Sequence, residues 1–263
     1  MSTFYNSERL KYNQMNYNND VELDNFCSQC LLVINAVGPS FKINDKIALH
    51  ALRNNCHYID IGGYGILRDL LKPYEKSIEA QKLCFIIGVG WMPGISGVFS
   101  KTIIETHLNS PENTNFNIYY GAVDNWSYSS TYDLAASSMG KTRSYVYSHG
   151  KEIQVSPFRY THHKFFPFIG HKKICMPSFD EQLTQLATSL KQIRKISTFI
   201  MLNDYISMGK FMFIKIFYKH NLNKATLMLQ DDYQRLVKKE NKWGSVICQV
   251  SKIEPERKID TFY

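Results

Sequence analysis

The stretch from Leu31 to Ile61 constrains this chain more than any other. Leu31–Ile34 is a short apolar run that reads as a strand buried on both faces, as in a parallel sheet covered by helices. It breaks at Asn35-Ala36-Val37-Gly38-Pro39, a tight loop with no bulky side chain before Phe41. A helical pattern follows over Asn44–Asn54, with Ile47, Ala48, Ala51 and Leu52 inward, and then a second apolar strand, Tyr58–Ile61. Strand, small-residue loop, helix and strand make one βαβ unit. In open parallel sheets ligands sit beyond the carboxyl ends of the strands, so Asn35–Pro39 is the first place to look for a bound small molecule.

The pattern continues. Arg68–Lys82 reads as a helix restarted at Pro73, and Leu83–Ile87 as a third buried strand. That strand runs into Gly88-Val89-Gly90-Trp91-Met92-Pro93-Gly94-Ile95-Ser96-Gly97, with a helix from there to Leu108. Glycines at a strand end before a helix suit close approach of an anionic or carbonyl ligand. Taken alone, a G-x-G is usually just a tight turn.

Three phrases, VINAVGP, HYIDIGGY and GVGWMPGISG, resemble in order and spacing the saccharopine dehydrogenase-like oxidoreductases. The resemblance is good from about Leu31 to Gly97 and traceable to about Val250. It implies an α/β fold: a partial Rossmann-like parallel sheet with an inserted α+β domain. It also implies NAD or NADP as cofactor and hydride transfer as the reaction. On this resemblance the cofactor-binding residues are Asn35, Ala36, Val37, Gly38, Pro39, Gly88, Gly90, Pro93 and Gly94. Asp60 and Trp91 are the substrate-binding candidates, and the Gly88–Gly94 loop faces the nicotinamide and the substrate. Tyr58, Asp60 and Gly63 match the family pattern, while Tyr64 stands where an acid is usual. Asp60 has two readings: a cap for the next turn, or a hold on a substrate amine or a loop.

The departure from the family lies upstream. A full dinucleotide-binding half opens with a strand, G-x-G-x-x-G and a helix whose first N–H groups hold the pyrophosphate. No such fingerprint precedes Leu31. By resemblance LLVINAVGP is the fourth strand and its loop, so the chain reads as truncated. Its sheet is expected to have an unpaired inner edge at Leu31–Ile34, open to pairing with a partner chain.

Residues 1–20 are polar and Asn-rich and read as a disordered tail. Residues 21–112 are the expected partial dinucleotide-binding domain, opening with a short helix over Val21–Cys30. Residues 113–263 are the expected α+β substrate or dimerisation domain, the boundary falling at Asn109–Asn115, NSPENTN. Beyond it, Phe116–Val123 reads as a strand and Thr131–Ser138 as a helix with Asp133 near its start. Ser144–Tyr147 and Ile153–Val155 read as a hairpin. Phe158–Gly170 is aromatic and could line an apolar pocket, pack a core or form a dimer surface. Ser178-Phe179-Asp180-Glu181 reads as a capping box before a helix over Glu181–Ile196. Lys224–Asn241 reads as a surface helix, and Trp243–Val250 as a strand. His162-His163 matches no catalytic pair.

Net charge +8 admits nucleic acid, an acidic surface or a phosphorylated cofactor as partner. Lys and Arg are spread along the chain without a block of like charges, which argues against nucleic acid and suits a dinucleotide phosphate. Cys27-Ser28-Gln29-Cys30 has metal-ligand spacing but no second pair, so no metal is expected. There is no apolar signal-peptide core, and Ile196–Tyr218 is interrupted by Asp204, Lys210 and Lys215. The expectation is a cytoplasmic protein without a membrane span, with Ile196–Tyr218 a buried helix or helix pair.

Two functions stand side by side. One is an NAD(P)-dependent oxidoreductase of the saccharopine dehydrogenase-like kind acting on a small molecule, as a homodimer or with a partner chain completing the sheet. The other is a non-catalytic remnant or binding module of the same fold. No general acid or base can be named, so whether this chain is an enzyme stays open.

Overall fold

The computed structural model describes residues 10–62, 65–107, 113–139, 144–178, 181–191, 193–218, 220–252 and 259–262. Its contacts group the chain into two units, Met1–Ala36 with Ile43–Ile87, and Val37–Lys42 with Gly88–Tyr263. Each is an α/β body around its own sheet, the mixed architecture expected from the sequence.

The first unit runs through α1 (Asp20–Cys27), β1 (Leu32–Asn35), α2 (Ser40–Ile43, mostly in the second unit), α3 (Lys46–Arg53), β2 (His57–Asp60), α4 (Gly65–Leu71), a single 3₁₀ turn, α5 (Glu75–Ala80) and β3 (Phe85–Ile87). Asn19 starts α1 by accepting from the backbone N–H groups of Val21 and Glu22. Just before it, Met15 and Tyr17 pack against the unit's core. Pro73 sits in the 3₁₀ turn and separates α4 from α5, as the helix restart requires. The three strands are parallel in the order β1-β2-β3. Their register aligns Val33 with Tyr58 and Phe85, and Ile34 with Ile59 and Ile86. The first row faces α1, α3 and α4 through Leu23, Cys27, Ile47, Ala51 and Leu67.

The second row is a correction. The sequence predicts strands buried on both faces, yet β1 alternates exposed and buried along its length. Ile34 is 61% exposed and Ile86 47%. Leu31, Leu32 and Ile61 are exposed too. The α1, α3 and α4 helices lie on one face, and no described helix of this unit covers the other.

The second unit contains α6 (Ile95–His107), β4 (Thr114–Val123), α7 (Tyr128–Met139), β5 (Tyr145–Ser148), β6 (Lys151–Gln154), α8 (Pro157–Tyr160), β7 (His162–Phe166), β8 (His171–Pro177), α9 (Glu181–Ser189), β9 (Lys195–Leu202), α10 (Tyr205–Phe217), α11 (Leu222–Val237), β10 (Trp243–Lys252) and β11 (Ile259–Phe262). Its eight-stranded sheet runs β11-β10-β4-β9-β5-β6, with β8 pairing β9 and β7 pairing β8. Among the described strands of this sheet, only the β4–β9 pair is parallel. The β5–β6 hairpin turns on His149 and Gly150, both at positive φ, as a two-residue hairpin turn demands.

Two expectations fail here. The helix predicted over Glu181–Ile196 stops at Ser189, and the helix pair predicted over Ile196–Tyr218 is a strand followed by a helix. Ile196, Thr198 and Ile200 are β-branched and suit the centre of a sheet buried on both sides. Asp204 then breaks the strand and starts α10, its carboxylate accepting from Ser207 N–H at 2.8 Å. The predicted capping box at residues 178–181 rests on residues 179 and 180, outside the described residues, as do Gly63, Tyr64 and the 109–112 part of the boundary loop. No described helix is long and apolar enough to cross a membrane.

Candidate functional site

In the first unit, Asn35 and Asp60 end neighbouring strands and stand directly opposite each other. Asp60 is 3% exposed. Its Oδ2 accepts from the Tyr58 hydroxyl at 2.6 Å and from Asn35 Nδ2 at 2.7 Å, and Asn35 Nδ2 also reaches the Tyr58 oxygen at 3.1 Å. Burial, and then the neighbouring Asp60, push the Tyr58 phenol well above the ordinary range. Tyr58 therefore stays a donor. These three side chains lock the carboxyl ends of β1 and β2 at the place where a parallel sheet presents ligands.

The other sequence-predicted residues fall in the second unit, apart from the exposed Ala36. Gly38 lies against α7, where a Cβ would stand 2.9 Å from Ser129 Cβ. Pro39 is buried, and Val37 is exposed. After them, the N–H groups of Ser40 and Phe41 donate to the two oxygens of Asp133, at 2.9 and 3.2 Å. Asp133 of α7 thus holds this loop. Lys42 Nζ lies 4.4 Å from the Tyr132 ring centroid on the same helix.

The Gly88–Gly97 loop closes on itself. Gly90 N–H donates to Pro93 O, Ile95 N–H to Gly90 O and Ser96 N–H to Trp91 O. Gly94 N–H donates to Gln182 Oε1 of α9 at 2.9 Å. Gly94 has φ +126°, and a Cβ there would lie 2.1 Å from Gly90 O, so the turn admits only glycine. The glycines that resemble a ligand cradle thus make this turn.

Trp91 and Met92 of this loop line an apolar cavity of about 50 Å³ between the sheet and α7, α10 and α11. Trp126 and Tyr233 form part of its wall, their rings stacked at 4.6 Å and 7°. Leu134, Phe211 and Leu229 add to the apolar lining. At its polar end stand Asn203, Ser207 and Asp232. Asp232 is already paired with Arg235 at 2.8 Å and Lys210 at 3.3 Å. Arg235 also grips Asp204 at 2.6 Å. Burial alone would raise the Asp204 carboxyl, but hydrogen bonds from Arg235 and Ser207 outweigh it and hold it at about 2. With its ions satisfied, the pocket suits an uncharged apolar group.

Sequence reasoning missed this pocket, and it missed Asp133, Gln182, Asp204 and Asp232 as organising groups. The traces were there: Asp204 just before an apolar helix, and Asp232 three residues ahead of Arg235. Phe166, in the aromatic stretch, packs in the core with Tyr119 and Phe199 instead of lining the pocket. Cys56 Sγ donates to the carbonyls of Cys27 and Cys30, and no described group of His, Cys, Asp and Glu could hold a metal ion.

A dinucleotide's pyrophosphate does not fit the donors present. The N–H groups of Ser40, Phe41, Gly90, Gly94, Ile95 and Ser96 all have acceptors within the chain, and the Asp133 carboxylate stands where an anion would be repelled.

No protein-family model matches the sequence, and no curated protein sequence does. Among solved structures the chain is similar to apo saccharopine dehydrogenase (L-Glu forming) from Saccharomyces cerevisiae, with a TM-score of 0.57 and 14% identity. That similarity covers 94% of this chain and 74% of the yeast one. The fold of this chain is Rossmann-like α/β, of the saccharopine dehydrogenase kind.

Proposed function

We propose that this chain is a saccharopine dehydrogenase-like, NAD(P)-dependent oxidoreductase whose substrate carries an uncharged apolar group. The observation that carries the reading is the locked carboxyl end of the parallel sheet, Asn35–Tyr58–Asp60, on a fold shared with a dehydrogenase. The Gly88–Gly94 loop contacts the nicotinamide end, and the apolar group occupies the pocket beside Trp91. The phosphates are held by a partner chain whose strands extend the sheet at β1 and whose helices cover the open row Ile34–Ile59–Ile86. Burying such a row is what a parallel sheet ordinarily does.

A titration of the chain's thermal midpoint with NADH and NADPH tests this. Ligand at a hundred times its dissociation constant adds about 2.7 kcal/mol, or roughly 5–10 °C for a chain of this size. A saturable rise with either dinucleotide is the expected result. A cooperative melt that does not move in millimolar dinucleotide overturns the reading of this chain as an enzyme that binds the cofactor by itself. The second reading, a non-catalytic binding module of the same fold, would then stand. It is favoured by the loop N–H groups that are already occupied.

A further inference from the structure

Helix α10 inverts the usual pattern of a surface helix. Its exposed positions are Tyr205, Ile206, Gly209, Phe213, Ile216 and Phe217. None is charged. Ser207, Phe211 and Ile214 are buried on the opposite side. The helix's two lysines sit half-buried at the margins: Lys210 is committed to Asp231 and Asp232, and Lys215 lies 5.0 Å from the Phe211 ring centroid. Ile216 is 65% exposed and Phe217 66%. The outward rings are already ordered, Phe213 packing at a tilt against Phe217 at 4.5 Å and meeting Tyr218 edge-on at 5.5 Å.

The face extends beyond the helix. The Tyr205 hydroxyl bonds His163 Nε2 at 2.9 Å. His163 and Phe165 share the outward side of β7, and Phe165 is exposed. At about 200 Å² per large side chain, the exposed fractions leave roughly 600 Å² of apolar surface. That is the upper end of what monomers leave open, and close to the ~800 Å² each partner contributes to a standard interface.

We propose that α10 is the seat of a second copy of this chain, in a two-fold dimer whose helices cross at Gly209. Two observations choose this occupant. The area is that of a small but specific protein interface. Gly209 lies in the middle of the face, and a Cβ built there meets nothing within 4 Å, which leaves a notch where a second helix backbone approaches closely. A lipid surface fits less well. It would want unpaired cations around the patch, whereas Lys210 is tied to Asp231, and Asp231 is itself exposed at the margin. The proposal concerns the second unit alone and holds whether or not a dinucleotide binds.

Sedimentation velocity on the full chain, up to about 100 µM, reads the association directly; a micromolar Kd would be saturated there. The expected result is a concentration-dependent dimer. Ile216→Asp should raise Kd at least tenfold, with a thermal midpoint unchanged when both chains are melted well below the parent's Kd, because the side chain touches little in the monomer. Gly209→Leu should also abolish the dimer, while keeping or raising the midpoint, since leucine is the better helix former and the space is open. A monomer throughout the range overturns the proposal. So does a dimer indifferent to both substitutions, or a monomer that floats with phosphatidylcholine–phosphatidylserine vesicles.

Discussion

In the eight-stranded sheet, β4 buries Phe116, Ile118 and Tyr120 against α6 and α9, and Tyr119 on the opposite face against Phe166, Phe199 and Met201. In the three-stranded sheet, β1, β2 and β3 bury Val33, Tyr58 and Phe85 and leave Ile34 and Ile86 open. Both sheets are written in the same language of apolar runs. The difference shows that an apolar run alone does not tell a strand covered on both faces from one covered on a single face. Two layers cover the second unit's central strands. The first unit supplies one.

The sharpest way to break this comparison is to remove a ring from the doubly covered sheet. Phe116 is fully buried at the centre of the largest core cluster. Phe116→Ala should cost about 3–5 kcal/mol, transfer and cavity together. For a chain of this size that lowers the thermal midpoint by roughly 10 °C. A loss under about 1 kcal/mol would mean that the second unit's core is not the cooperative body its packing implies.

Next in size is the lock at the strand ends of the first unit. Asp60→Ala leaves the buried Tyr58 hydroxyl and the Asn35 amide without their shared acceptor. The expected cost is about 1–3 kcal/mol, read as a shift in urea midpoint at unchanged m-value. Asp60→Asn, which keeps an acceptor oxygen, should recover part of it. A neutral Asp60→Ala would show that the carboxylate does not organise the strand ends and would return Asp60 to the role of a waiting substrate contact.

Much of this architecture was legible. The βαβ order, the crossover helix with Ile47, Ala48, Ala51 and Leu52 inward, the Pro73 restart and the strand over Phe116–Val123 follow from period, breakers and run length. What escaped is non-local. Glu181–Ile196 carries a helical pattern at its start, but Ile196 is drawn into β9 because β4 and β5 offer it pairing on both edges. The Gly88–Gly97 loop reads as a ligand cradle because its glycines are visible and Gln182, which closes it, lies some ninety residues away. The Val37–Phe41 loop misleads in the same way, with its anchor at Asp133. Site geometry was illegible wherever a distant side chain already occupied the donor that a ligand would need.

A smaller effect separates the units by pH. Asp204 sits at about 2 in the folded second unit, against an ordinary value of 3.8, because Arg235 and Ser207 hydrogen-bond its ionised form. A depressed acid contributes stability that is complete above about pH 4 and is lost as pH falls toward 2. Partial exposure screens the pair, so the contribution is about 1 kcal/mol. Asp204→Asn keeps a competent helix cap while removing the charge. Its thermal midpoint should lie below that of the parent at pH 6 and converge with it only as the pH falls through about 2. Parallel curves would mean that the Arg235 pair adds nothing beyond the cap.

The smallest expected effect is the most pointed. Ile34 lies on the edge strand β1 and shares a row with Ile59 and Ile86, an apolar row that a second layer would ordinarily bury, yet here it faces outward. Ile34→Thr keeps the β-branched shape and β-propensity and changes only what the face offers a neighbour. In the isolated chain it should move stability by no more than about 0.5 kcal/mol, as an exposed substitution does. A cost above about 1.5 kcal/mol would mean that the row is covered in solution and that the two sheets are alike after all. A null effect in the isolated chain, joined to weakened association with any chain that adds strands at β1, would locate the missing layer outside this chain. The strand's isoleucines would then be serving an interface, with the energetics of a core.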